Sequence, residues 1–205
     1  MSLPIIHVID DDPSFRTAVT RLLRAAKYEV RGYASASEFL KSDPCGDPGC
    51  IILDLQMPGV SGLDLQQSLE RMQEHLPIIF LTGYGDIPAS VRAMKAGAVD
   101  FLTKPVRREA LLSAIQNALA IDAQARAAQA ASRELHSRYE DLTAREREVL
   151  VHVVSGKLNK QIAFDLGTAE RTIKAHRASI MEKLRVQSVA ELVRLAQELG
   201  IEPMR

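Results

Sequence analysis

Five short apolar runs recur through the first 120 residues: "IIHVI" from residue 5, "EVRGY" from 29, "CIILDL" from 50, "PIIFLT" from 77 and "VDFLT" from 99. Runs of this length read as strands. Between them, segments starting near Pro13, Ser35, Gly62 and Pro88 carry apolar residues at helical spacing, and another starts near Arg108. Ser35-Ala36-Ser37-Glu38 fits a capping box, and Pro13 and Pro88 suit first-turn positions, where an N–H has no intrahelical partner anyway. This alternation of strand and helix predicts an α/β fold, a five-stranded, doubly wound parallel sheet with helices on both faces. Sheets of this kind bind ligands at the carboxyl ends of their strands.

The polar residues fall at that edge. Asp10, Asp11 and Asp12 follow the first strand, Asp54 lies near the end of the third, Thr82 ends the fourth and Lys104 follows the fifth. Neighbouring carboxylates repel one another and resist ionising together, so such a cluster needs a cation, a partner or solvent. Asp10, Asp11 and Asp54, with a hydroxyl and an ammonium, make a hard-oxygen site suited to Mg²⁺, with a cation left to pair with an anion. Taken singly, an Asp is a cap or a solvated charge, Thr82 a strand end, Lys104 a surface charge and Phe101 core. Their joint placement is what argues for a site.

Residues 107–141 are nearly free of Gly and Pro and rich in Ala, Gln and Arg, which predicts continued helix on the order of 50 Å long. A plain spacer and a coiled-coil seam both remain open, although apolar heptads fail across 122–134. After Leu142 only helical patterns follow. Thr143-Ala144-Arg145-Glu146 is a capping box opening a helix that Gly156 ends; "NKQIAFDLG" is a short helix closed by Gly167; "TAERTIKAHRASIMEKL" is a longer one; and Ser188 caps the last. The expected domains are therefore 1–120, a helical linker over 121–141, and an all-α four-helix unit over 142–205. The net charge of zero hides a division: residues 1–120 hold 12 Lys+Arg against 14 Asp+Glu, and residues 142–205 hold 11 against 8. An anionic partner such as nucleic acid is sought first in the last third.

The motifs "DD" after strand one, "DLQMPG" after strand three, "TGYGD" and "KP" together resemble a response-regulator receiver over the whole first domain. The resemblance implies flavodoxin-like strand order 2-1-3-4-5 and Asp54 as phosphoryl acceptor. It further implies Mg²⁺ (or Mn²⁺) held by Asp11, Asp54 and the Gln56 backbone carbonyl, with Asp10 acting largely through water and Asp12 outside the site. Lys104 and Thr82 would meet the phosphoryl oxygens, and Thr82 with Phe101 would form a switch. A face containing Val91, Met94 and Lys95 would dimerise on phosphorylation. Receivers commonly have the bond before this Pro cis, so Lys104-Pro105 is expected cis. Tyr84 stands two residues after Thr82, where such receivers often have His, and with Gln56 it bears on the lifetime of the phosphoryl group.

Residues 142–193 resemble a LuxR-type helix-turn-helix, and the chain as a whole resembles the FixJ branch of the NarL/FixJ response regulators. The implied partners are a sensor histidine kinase, promoter DNA and a second copy of the chain, with RNA polymerase a further candidate. Between Lys157 and Arg185 there are seven Lys/Arg and three Asp/Glu. Lys160, Thr172 and Arg177 are candidates for phosphate contacts, and Arg171, Lys174, Ala175 and Ala178 for base edges. Ile162, Ala163, Leu166, Ile173, Ile180 and Leu184 read as core.

Two other functions fit parts of the pattern. A Mg²⁺ phosphohydrolase with an Asp nucleophile would need a second Asp two residues on, where Gln56 stands. An adaptor would turn its helical unit to protein or RNA. The expectation is a regulator that accepts a phosphoryl group and can lose it by its own hydrolysis, not a dedicated enzyme. No segment approaches the roughly 18 apolar residues of a membrane span, and the start lacks a signal-peptide pattern, so a cytoplasmic location is expected. Cys45 and Cys50 are expected as reduced thiols, with Cys50 buried at a strand start.

Overall fold

Each of the five apolar runs forms a strand: β1 (Ile5–Ile9), β2 (Glu29–Tyr33), β3 (Gly49–Asp54), β4 (Ile78–Thr82) and β5 (Asp100–Thr103). The structure is a computed structural model and describes residues 3–42, 46–72, 74–83 and 87–203. The strands pair in parallel in the order β2-β1-β3-β4-β5, as expected. The intervening helices are α1 (Pro13–Ala25), α2 (Ala36–Lys41), α3 (Gly62–Arg71), α4 (Ile87–Lys95) and α5 (Arg108–Glu140).

Alternation of side chains along each strand divides the core between two faces. Ile9, Ile51, Leu53 and Phe80 pack with residues of α2, α3 and α4, while Ile6, Val8, Cys50, Ile52 and Leu81 pack with residues of α1 and α5. β3, central and covered on both sides, is buried at all six positions. Burial pushes the Cys50 thiol up to about 12, helped by the Asp122 carboxylate, so it is inert at neutral pH. Cys45 and Tyr84 lie outside the described residues.

Local chemistry explains the helix starts. Asp12 is the N-cap of α1, with Pro13 following, and Ser61 and Asp64 close a full capping box at α3. At α2 the expected box is displaced by one residue. Ser35 accepts from Glu38 N–H, but the Glu38 carboxylate accepts from Ala34 N–H, upstream of the cap.

Two compact units divide the chain, Met1–Arg126 and Ala127–Arg205. Within the first unit, Asp122 and Arg126 bind the approach to β3. Asp122 Oδ2 accepts from Gly49 N–H at 3.0 Å, and Arg126 pairs with Asp122 at 2.9 Å while donating to the carbonyls of Gly46 and Asp47. In the second unit the last turns of α5 lead into α6 (Ala144–Val154), α7 (Asn159–Asp165), α8 (Glu170–Lys183) and α9 (Val189–Glu198). Ile162, Ala163, Ile173, Ile180 and Leu184 are buried in its core, with Leu166 packed against them. Gly167, at φ +60°, makes the turn between α7 and α8 in a conformation that side chains resist. Among the described residues, no helix is long and apolar enough to cross a membrane.

Candidate functional site

Parallel strands bring their carboxyl ends to one edge, and there the separated acids meet. Oxygen atoms of Asp10, Asp11 and Asp54 lie within 4.8 Å of one another. Asp10 and Asp54 are buried and Asp11 is exposed, so the cluster opens to solvent on one side. Lys104 Nζ donates to Asp10 Oδ2 at 2.6 Å and lies 3.1 Å from Asp54 Oδ2. The Lys104–Pro105 bond is cis, as expected. Thr82 is fully buried at the end of β4, and its carbonyl accepts from Lys104 N–H at 2.7 Å.

Burial raises the Asp10 carboxyl above its ordinary range, and the contact with Lys104 offsets only part of that rise. Burial alone would lower the Lys104 ammonium, but hydrogen bonds to Asp10 and Asp54 outweigh it and raise it, so it stays charged. The opening triplet thus divides its labour. Asp10 and Asp11 join the cluster, whereas Asp12 turns to α1, its Oδ1 accepting from Ser14 N–H at 2.8 Å and Phe15 N–H at 3.3 Å. Three carboxylates are a donor set for a hard divalent cation, the ammonium beside them suits an anion, and the residues present fit such a group.

The remaining expected residues are placed as follows. Gln56 is exposed, its N–H 3.4 Å from Asp54 Oδ1. Phe101 on β5 is half-buried, its ring centroid 6.3 Å from that of Phe80. Val91, Met94 and Lys95 are exposed on α4, whose Ala89 and Ala93 are buried. On α8, Arg171, Thr172, Lys174, Ala175 and Ala178 are exposed and Arg177 is half-buried, while Ile173 and Ile180 face the core. Lys160 is exposed in the first turn of α7, and Lys174 pairs with Glu170 one turn earlier at 3.2 Å.

Comparison with known proteins follows the same division. Residues 6–116 match the response regulator receiver domain family, and residues 140–196 match the luxR family of bacterial regulatory proteins. The chain belongs to the NarL/FixJ response regulators. It is similar to Nodulation protein W of Bradyrhizobium diazoefficiens, 46% identical over 96% of this chain and 87% of that protein. It is also similar to the transcriptional regulatory protein FixJ of Azorhizobium caulinodans, 42% identical over 98% and 95%. Among solved structures, the response regulator StyR matches at a TM-score of 0.87 and 45% identity, covering 96% of this chain and all of that one. A receiver joined to a LuxR-type domain makes this response regulator a phosphorylation-dependent regulator of transcription. A histidine kinase and promoter DNA are the partners its two domains imply.

Besides the Asp122–Gly49 bond, three further contacts among the described residues of the response regulator are not shown by its sequence motifs. Arg16 on α1 donates to the Asp10 carbonyl at 2.5 Å, and the Phe15 ring lies against Lys104. The third is in the DNA-binding unit, where Glu146 does more than complete its capping box. Besides taking Thr143 N–H at 2.8 Å, its carboxylate accepts from Ser179 Oγ at 2.6 Å and Lys183 Nζ at 2.7 Å, joining α6 to α8. Spacing shows the box but not the partners on α8, which are 33 and 37 residues away.

Burial alone would raise the Glu146 carboxyl, but Lys183, Ser179 and Thr143 prevail and hold it at about 2, below the ordinary 4.5. A depressed folded-state pKa stabilises above the unfolded value and loses that stabilisation as pH falls. Glu146 therefore stabilises the second unit fully above pH 4.5 and progressively less as pH falls toward 2. Glu146→Ala is expected to cost about 2–3 kcal/mol at neutral pH, the sum of a lost cap and lost charge-assisted bonds. Thermal melts of the full chain at pH 7 and pH 3 test this, because the deficit should shrink at the lower pH.

Proposed function

We propose that Asp54 accepts a phosphoryl group from a phosphohistidine of a sensor kinase, and that the modified receiver drives dimerisation and sequence-specific promoter binding. The observation that carries this reading is the contact of Lys104 with both Asp10 and Asp54 at the carboxyl edge of the sheet. An Asp54 oxygen attacks phosphorus, the P–N bond breaks with its electron pair passing to the imidazole, and an acyl phosphate results. Asp10, Asp11, Asp54 and the Gln56 carbonyl would hold Mg²⁺ or Mn²⁺, which when bound supplies charge neutralisation of the phosphoryl oxygens. Lys104 exchanges a carboxylate for a phosphoryl oxygen, and the Thr82 hydroxyl hydrogen-bonds another. Movement of Thr82 frees space toward Phe101, which biases the α4–β5 surface bearing Val91, Met94 and Lys95. Hydrolysis of the acyl phosphate by the same site resets the protein.

Residues 1–120 receive the signal in this scheme, 121–141 link, and 142–205 bind DNA. Arg171, Lys174, Ala175 and Ala178 read bases; Lys160, Thr172 and Arg177 contact phosphates; and RNA polymerase is the partner at the promoter. The DNA-binding unit supports a cytoplasmic location.

Sequencing of duplexes selected from random DNA by the phosphorylated protein tests the reading. A two-fold symmetric site, enriched more strongly with phosphorylation than without, is expected, because dimer symmetry is mirrored in the operator. Enrichment of no duplex would overturn it. Lys174→Ala is expected to cost about 1–3 kcal/mol at one base position. A uniform loss across sequences, with a reduced salt slope, would move Lys174 to the phosphate contacts.

A further inference from the structure

Lys104 Nζ lies 4.2 Å from the centroid of the Phe15 ring while it contacts Asp10 and Asp54. The side chain of Lys104 is 18% exposed. A cation over an aromatic face is attracted by the ring quadrupole, more strongly where water is partly excluded. The ring is itself held. The Phe15 backbone N–H donates to the Asp12 cap of α1, and the side chain packs against the core formed by α1, α5 and the sheet.

We propose that Phe15 is a positioning residue, holding the Lys104 ammonium at the mouth of the acidic crevice while it exchanges a carboxylate for an oxygen of the incoming phosphoryl group. The inference rests on Asp54 as acceptor. Its physical basis is that the carboxylates which now attract Lys104 are the groups a divalent cation would neutralise. Once they are engaged, a flexible four-carbon stem has little in the acidic cluster to restrain it. The ring is uncharged, and its attraction for the ammonium does not depend on those carboxylates. Phe15 thereby gives Lys104 an anchor that persists through the exchange. It also gives Asp12, the third acid, an indirect task through the cap that fixes the first turn of α1.

The test measures initial phosphorylation by acetyl phosphate with Mg²⁺, by intact mass, on the full chain. Phe15→Leu is expected to be about 3- to 30-fold slower than wild type, the range a partly desolvated cation–π contact allows. Phe15→Tyr, which keeps the ring face, is expected to restore the rate. In a Lys104→Met background Phe15→Leu is expected to add no further loss, whereas a merely structural role would slow both backgrounds alike. A wild-type rate in Phe15→Leu, or an equal loss with and without Lys104, overturns the proposal.

A second readout needs neither phosphoryl donor nor metal. The Lys104 ε-methylene protons of the wild-type protein, assigned by their loss in Lys104→Met, are expected upfield of the other lysines through the ring current. The shift should persist in Phe15→Tyr. Its absence from wild type overturns the proposal even if Phe15→Leu fails to fold. A wild type that takes up no phosphoryl group overturns the acceptor reading instead, and the ring-current shift then decides alone whether Phe15 holds the ammonium.

Discussion

Asp54→Asn is expected to take up no phosphoryl group, a complete loss where wild type gains one. The amide keeps the shape of the carboxylate but cannot form the acyl phosphate. Stability should change by no more than about 1 kcal/mol, because removing one of three close carboxylates relieves repulsion while weakening one contact with Lys104. Lys104 retains its shorter contact, 2.6 Å to Asp10. Intact-mass measurement after acetyl phosphate and Mg²⁺ reads the result directly. Equal labelling of the variant would move the acceptor to another residue. In the same samples the gain in DNA affinity on phosphorylation should vanish, leaving only the basal binding of the helix-turn-helix.

Gly62→Ala is expected to be the most damaging single methyl group near the site. A Cβ at Gly62 would stand 2.4 Å from the Asp54 carbonyl oxygen and 3.0 Å from the Phe80 ring. Backbone rather than a flexible side chain is in the way, so α3 must move off the end of β3 or Asp54 must move with it. Overpacking of this kind costs about 3 kcal/mol or more, and in a unit of this size it lowers the melting temperature by roughly 10–15 °C. Phosphorylation should slow as well, since Asp54 is displaced relative to Lys104. A thermal scan and an acetyl phosphate time course check both effects. Wild-type melting would mean that α3 yields without cost.

Much of this was legible along the chain because it depends on neighbours two to four residues away. Caps such as Thr143 with Glu146 and Ser188 with Glu191, and the helical spacing of Ile162, Ile173 and Ile180, follow from local geometry. The convergence of Asp10, Asp11, Asp54, Thr82 and Lys104 was legible for another reason, the topology of the sheet. Once the strands are parallel, a residue at the carboxyl end of any one of them must lie at the same edge. Asp10 and Lys104 are 94 residues apart, yet this rule alone brings them together.

No such rule joins Phe15 to Lys104, Asp122 to Gly49, or Glu146 to Ser179 and Lys183. Each of these contacts depends on how far one helix is rotated and shifted against another element. Periodicity marks which face of a helix is buried but not its axial position against the next element. The sequence by itself determined the strand-and-helix order, the edge that carries the acids, and a basic unit built of helices. Only the tertiary structure decided that an aromatic ring backs the lysine of the site, that Asp122 and Arg126 on α5 bind the approach to β3, and that Glu146 joins α6 to α8. The physical reason is the same in each case: these are side-chain meetings across packed elements, set by interlocking shape rather than by local pattern.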